Sequence, residues 1–207
     1  MLNYFLNGFK VPFKLYWDDT YYKILDTQRT LTDLNMQNWL HNSLPKWTWW
    51  FLLFFTVFPL FVWWKYTDRK RFLEISFFGV MVSISAGILD SIGVFLLAWT
   101  YPYSLVPALP NFFPIDYVAI PVVFMLVYQK YRGWREFLIA STILSCVLSL
   151  ILDPIIVWLN IYQPLSWQYY YSVPTFVFLV SFCKLVTIIV RGQNSQYGEM
   201  ADGKKTA

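Results

Sequence analysis

Between Trp47 and Val190 the chain alternates long apolar runs with short connectors, and the connectors are of two kinds. Those at 65–72 and 129–136 are basic: Lys65, Arg69, Lys70 and Arg71 in the first, Lys130, Arg132 and Arg135 in the second. Those at 99–113 and 161–171 carry no charge and are rich in aromatics and prolines. Crossing a bilayer core takes about 20 consecutive apolar residues, and the runs approach or exceed that length. The 32 residues Tyr103 to Trp134 show the pattern in miniature. An uncharged, proline-punctuated loop leads into an apolar segment with Asp116 at its mouth and Pro121 inside, and an aromatic and basic patch closes it.

This alternation predicts an all-α membrane protein, a bundle of five transmembrane helices preceded by an N-terminal interfacial, amphipathic segment. Charged residues are 14% of the chain, against about a quarter in soluble domains. The five spans are Trp47–Trp64, Leu73–Trp99, Pro114–Tyr128, Phe137–Trp158 and Ser172–Val190. Trp47, Trp49 and Trp50 open the first, and Trp63, Trp64 and Tyr66 close it, as aromatic belts do at both interfaces. Residues 1–46 form a surface-lying segment, with Asp18 or Asp19 capping a helix whose candidate apolar contacts are Leu25, Leu31, Leu34 and Trp39. Residues 47–190 are the bundle, and 191–207 a disordered cytoplasmic tail.

Charge placement sets the expected orientation. The two basic connectors and the tail hold most of the 16 Lys and Arg residues. The positive-inside rule then puts the C-terminus in the cytoplasm and, with five spans, the N-terminus outside a bacterial cytoplasmic membrane. Basic residues that flank apolar runs point to a lipid bilayer as partner and not to nucleic acid. Cys146 and Cys183 lie inside apolar runs and read as small buried hydrophobes. His41 is the only histidine, which excludes a histidine-rich metal site. No P-loop, GxGxxG, GxSxG or HExxH pattern is present, and the sequence assigns no cofactor.

The informative residues are polar ones inside spans. Gly79, Ser83, Ala86, Gly87, Asp90 and Gly93 form a small-residue stripe on the second span, where another helix can approach closely. Asp90 lies on that stripe and should face protein. Asp153, with Thr142, Ser145 and Ser149, follows helical spacing on the fourth span, and Pro154 frees a backbone carbonyl one turn earlier. Asp90 and Asp153 lie roughly 8–14 Å from the outer helix ends at 1.5 Å per residue, with Asp116 nearer the surface. Asp90, Asp116, Asp153 and Ser149 therefore define a candidate proton or cation site. The alternative is three separate polar clasps, Asp116 capping its own helix and Asp153 bonding nearby serines. At the other end Lys184 has Glu74 as its expected ion-pair partner, or it snorkels to the interface.

Trp99-Thr-Tyr, the FPID ending at Asp116, MLVYQ at Met125–Gln129 with Trp134, Asp153-Pro154, and WQYYYSVP from Trp167 carry a likeness. DRKRFLEISFFG and Leu89–Asp90 fit the same pattern. From Trp47 to Val190 the chain resembles an uncharacterised integral-membrane family of Bacillus, Clostridium and related spore-forming bacteria. That resemblance implies a multi-spanning bacterial inner-membrane protein and brings no activity, substrate or site residue. The acid before proline in that family is usually glutamate, so Asp153 is a departure. FPIDYVAIPVVF is also faintly similar to the proline–acid motif of the membrane lycopene cyclase family, whose acids protonate a polyene.

Three functions follow as expectations. The first is a small transport or sensing protein with an outward-facing acidic proton or cation site. The second is a non-catalytic subunit or scaffold of a spore-associated membrane complex, with a membrane-protein partner or a second copy of itself. The third is a membrane enzyme acting on a lipid or isoprenoid.

Overall fold

A computed structural model describes residues 19–44, 46–109 and 112–203, with side chains described as far as Gly192. It is mostly helical. Helix α1 is Asp19–Asn38, continued by a wide π turn over Trp39–Ser43. Helix α2 is Trp47–Tyr66 and, after a 3-10 turn at Arg69–Arg71, α3 is Phe72–Phe95. A π segment at Pro114–Ala119 runs into α4, Ile120–Lys130. Helix α5, Trp134–Val147, continues through a π segment at Leu148–Leu152 into α6, Asp153–Trp158. Helix α7 is Tyr169–Gly203.

Among the described residues, four helical stretches are long and apolar enough to cross a membrane: Trp47–Tyr66, Arg69–Phe95, Trp134–Trp158 and Tyr169–Gly192. The expected third span does form one continuous helical segment, Pro114–Lys130. At 1.5 Å per residue it is about 25 Å long, less than the ~30 Å of a hydrocarbon core. Two boundaries differ from the sequence reading. Trp99, expected to end the second span, lies beyond the helix in a strand. The chain past Arg191, expected to be disordered, continues α7 to Gly203. Residues 1–18 lie outside the described residues. Helix α1 starts at Asp19 and buries no residue; the candidate contacts Leu31 and Leu34 are exposed.

The bundle is inside out compared with a soluble protein. Phe61, Ile84, Ile143 and Phe178 project from four different helices and are half or more exposed. Such an apolar exterior is a liability in water and the natural surface in lipid. Helix α3 is central and packs against α4 and α7, while α5 packs on α7 and α2 on the Pro114–Ala119 segment. Their shared core is Ile75, Phe78, Val82, Phe124, Phe137 and Val180.

Prolines shape the helices that carry the site. Each of the π segments before α4 and α6 ends two residues ahead of a proline, Pro121 or Pro154. A proline ring clashes with the carbonyl four residues back and offers it no N–H, and a widened turn makes room for the ring. The carbonyl freed by Pro121 is that of Tyr117, and it accepts the Ser83 hydroxyl at 3.1 Å. A polar group of the small-residue stripe thus fastens α3 to this segment.

At the far end of the bundle, α3 and α6 finish in the same way. Leu97 (φ 52°) and Asn160 (φ 57°) each adopt the left-handed conformation that ends a helix. The chain then enters two short antiparallel strands, Trp99–Thr100 and Gln163–Pro164, with Trp99 opposite Pro164 and Thr100 opposite Gln163. The uncharged connectors are therefore pinned to each other. The 101–109 loop is also tied to the π turn after α1 and to the start of α2: Trp39 of the first and Trp49 of the second both donate their indole N–H to the Leu105 carbonyl at 3.0 Å.

Candidate functional site

The three aspartates line one cavity, of about 100 Å³, beneath the paired strands. Asp90 comes from α3, Asp116 from the π segment before α4, and Asp153 from the start of α6. Asp90 is buried and faces protein, as its place on the small-residue stripe requires. Its Oδ1 accepts two hydrogen bonds, from Trp99 Nε1 at 2.8 Å and from the Tyr101 hydroxyl at 2.6 Å.

Asp116 has a different environment. It too is buried, but its Oδ2 has no hydrogen-bond partner. It does not cap its own helix: the N-cap residue is Phe113, and no side-chain cap bond forms. Ser149 is fully buried with its hydroxyl unpartnered, so it makes no bond to Asp153. The expected serine clasp is therefore absent. Ser145 and Ser141 continue the same buried, unpartnered line one and two turns further along α5, while Thr142 is exposed and bonds its own helix at Leu138. The serine line thus runs through Ser141, which the sequence reading missed, and not through Thr142.

Aromatic groups close this cavity. Trp99 packs edge-on against Trp167 at 5.2 Å between centroids, and Tyr101 stacks on Phe112 at 4.4 Å with Tyr162 beside it. Burial, then the carboxylates of Asp116 and Asp90, push the Tyr101 phenol well above its ordinary range. Burial and the nearby Asp153 do the same to Tyr162. Both phenols stay neutral, so Tyr101 remains a hydrogen-bond donor to Asp90. Trp99, Tyr101 and Tyr162 are functional candidates to which sequence reasoning gave no part in the site.

A legible signal for this arrangement was present. Residues Ile88–Leu97 read ILDSIGVFLL and residues Ile151–Asn160 read ILDPIIVWLN. Both contain Ile-Leu-Asp-x-Ile-x-Val-aromatic-Leu and end on the left-handed residue that precedes a strand. Asp90 and Asp153 thus stand at equivalent places, each seven residues before its helix-ending turn.

The glycines of the stripe serve the site directly. A Cβ at Gly87 would overlap the Tyr117 ring, and one at Gly93 the Trp99 ring. Each glycine leaves room for the neighbour of an acidic residue or its donor. Among the described residues, no three His, Cys, Asp or Glu side chains group closely enough to hold a metal ion.

At the opposite end of α3 the expected Glu74–Lys184 pair is corrected. Glu74 bonds Arg71 through both carboxylate oxygens, at 2.9 and 3.2 Å, and also accepts from the Tyr128 hydroxyl at 2.6 Å and from Arg191 at 3.3 Å. Lys184 is fully buried and donates instead to the carbonyls of Tyr131, Arg132 and Gly133, at 3.3, 3.0 and 3.3 Å. Its ammonium also lies 4.1 Å from the Phe137 ring centre. The physical reason is that Arg71, three residues before Glu74 in the 3-10 turn that leads into α3, already occupies the carboxylate. The unsatisfied carbonyls beyond α4 then present the buried ammonium with a partial negative charge.

Comparison with family models, with curated proteins and with solved structures finds no match to this chain.

Proposed function

We propose that this chain is a small five-spanning bacterial membrane protein of the transport or sensing kind, with a proton-binding site in the aspartate cavity. The segment Pro114–Lys130 is the fifth membrane-embedded helix; buried on most faces by its neighbours, it needs less lipid-facing length. The basic connectors and the tail face the cytoplasm, the aspartate cavity faces outward, and the α1 segment lies at the outer surface. This architecture fits the resemblance to the multi-spanning family of spore-forming bacteria.

One observation carries the functional reading. Three carboxylates from three helices share one cavity, and Asp116 Oδ2 is buried there without a donor. A lone buried charge is costly, and a proton on that oxygen removes it. A proton suits the site better than a metal ion or a polyene. The donor set does not group as a metal centre. The cavity, at about 100 Å³, is also below the ~300 Å³ at which pockets begin to hold small organic molecules, so a polyene substrate has no room.

Thermal unfolding of the purified chain and of Asp90→Asn, Asp116→Asn and Asp153→Asn, followed from about pH 5 to about pH 8, tests the reading through linkage. The melting-temperature gap between wild type and at least Asp116→Asn should change with pH. Gaps that stay constant across that range in all three variants overturn it.

A further inference from the structure

The cytoplasm-proposed end of the bundle holds two adjoining hollows that share Arg71, Glu74 and Arg191. One is a polar cavity of about 350 Å³, to which Arg71, Arg132, Lys184 and Arg191 contribute four cations against the single carboxylate of Glu74. That carboxylate is already engaged by Arg71, Tyr128 and Arg191. The other is a groove of about 710 Å³, walled by apolar Leu73, Phe77, Val80 and Val190, with Arg69 and Lys70 at its rim.

From this junction we infer a binding site for an anionic phospholipid of the bilayer. The phosphate-bearing headgroup occupies the cation cavity and one acyl chain lies along the groove. Charge selects the headgroup, because the cavity carries more positive than negative side chains and an anion offsets the excess. Continuity selects a lipid over a free ion. Inorganic phosphate fills the cavity and leaves the apolar walls bare, and a neutral apolar ligand fills the groove and leaves the cations unmatched. Only an amphiphile with an anionic end covers both. The adjacent 3-10 turn and the start of α3 add the positive end of a helix dipole on the same side. The inference rests on the membrane-spanning reading and is independent of the aspartate cavity.

The test titrates the full chain in detergent with phosphatidylglycerol and, separately, with phosphatidylcholine, counting bound lipid by native mass spectrometry. Wild type should bind phosphatidylglycerol at least about tenfold more tightly, given the ordinary gain per basic residue near an anionic headgroup. The double variant Arg132→Gln/Arg191→Gln should lose that preference. Lys130→Gln/Arg135→Gln, which removes the same charge outside both hollows, should keep it. Val80→Trp, at an exposed position in the groove, should weaken lipid binding without altering the effect of inorganic phosphate on stability. Equal losses in the two double variants, or no preference in wild type, overturn the site. Displacement of phosphatidylglycerol by inorganic phosphate, with Val80→Trp behaving as wild type, overturns the lipid and leaves a soluble anion as occupant.

Discussion

The two ends of α3 handle buried charge in opposite ways. Glu74 and Asp90, sixteen residues or about 24 Å apart on one helix, are both carboxylates enclosed by protein. At the Glu74 end, unlike charges meet: a two-pronged arginine, a second arginine and a phenol converge on one acid, and the nearby lysine caps three carbonyls. At the Asp90 end, like charges meet, and their donors are neutral aromatics. The first arrangement satisfies its carboxylate fully. The second leaves an acidic oxygen without a donor, the residual on which the proposed proton site rests.

That contrast can be broken by mutation, and unfolding free energy in mixed micelles measures each case. Glu74→Ala should have the largest effect, about 3 kcal/mol of lost stability, because it strands Arg71 and removes the acceptor of Tyr128. Lys184→Met should come next, at about 2 kcal/mol, since the apolar volume is kept while three carbonyls lose their donor. Losses below about 0.5 kcal/mol in both would erase the distinction between the ends.

Smaller effects at the aspartate end sharpen it. Tyr101→Phe should cost about 1 kcal/mol at neutral pH through the lost bond to Asp90. Because the Tyr101 phenol is raised in the folded protein, its contribution is complete below the unfolded value of about 10 and is lost as pH rises beyond it. The alkaline decline in stability should therefore be shallower in Tyr101→Phe; an unaltered slope would separate the phenol from the carboxylates. Asp116→Asn should have the smallest effect and the opposite sign, within about 1 kcal/mol and toward greater stability near neutral pH, because it removes a buried carboxyl that has no partner and must take up a proton to stay uncharged. A loss there as large as that of Glu74→Ala would make the two ends alike.

Much of this was legible before any coordinates. Asp90 sits on the small-residue stripe, and a polar residue on such a stripe has to turn toward protein, as it does. The depth of each aspartate along its helix, read at constant rise, placed all three toward one end, and they share a cavity there. The Glu74–Lys184 pairing was misread because depth alone does not decide partners: Arg71, one helical turn from Glu74, and the free carbonyls beyond α4 were closer competitors. The roles of Trp99 and Tyr101 were also hidden. An aromatic residue near a span end has an interfacial explanation that needs no partner, and only the left-handed turns at Leu97 and Asn160 bring that connector back over the acids.

The amino-acid order by itself determined that the chain is helical and apolar on its outside, since backbone groups in lipid must bond within their own segment and side-chain polarity sets which runs can enter it. It also determined where buried acids would be costly. Tertiary structure alone decided which groups answer them. That choice depends on angstrom-scale approach between helices distant in sequence, and it falls to neutral indole and phenol donors at one end and to guanidinium groups at the other.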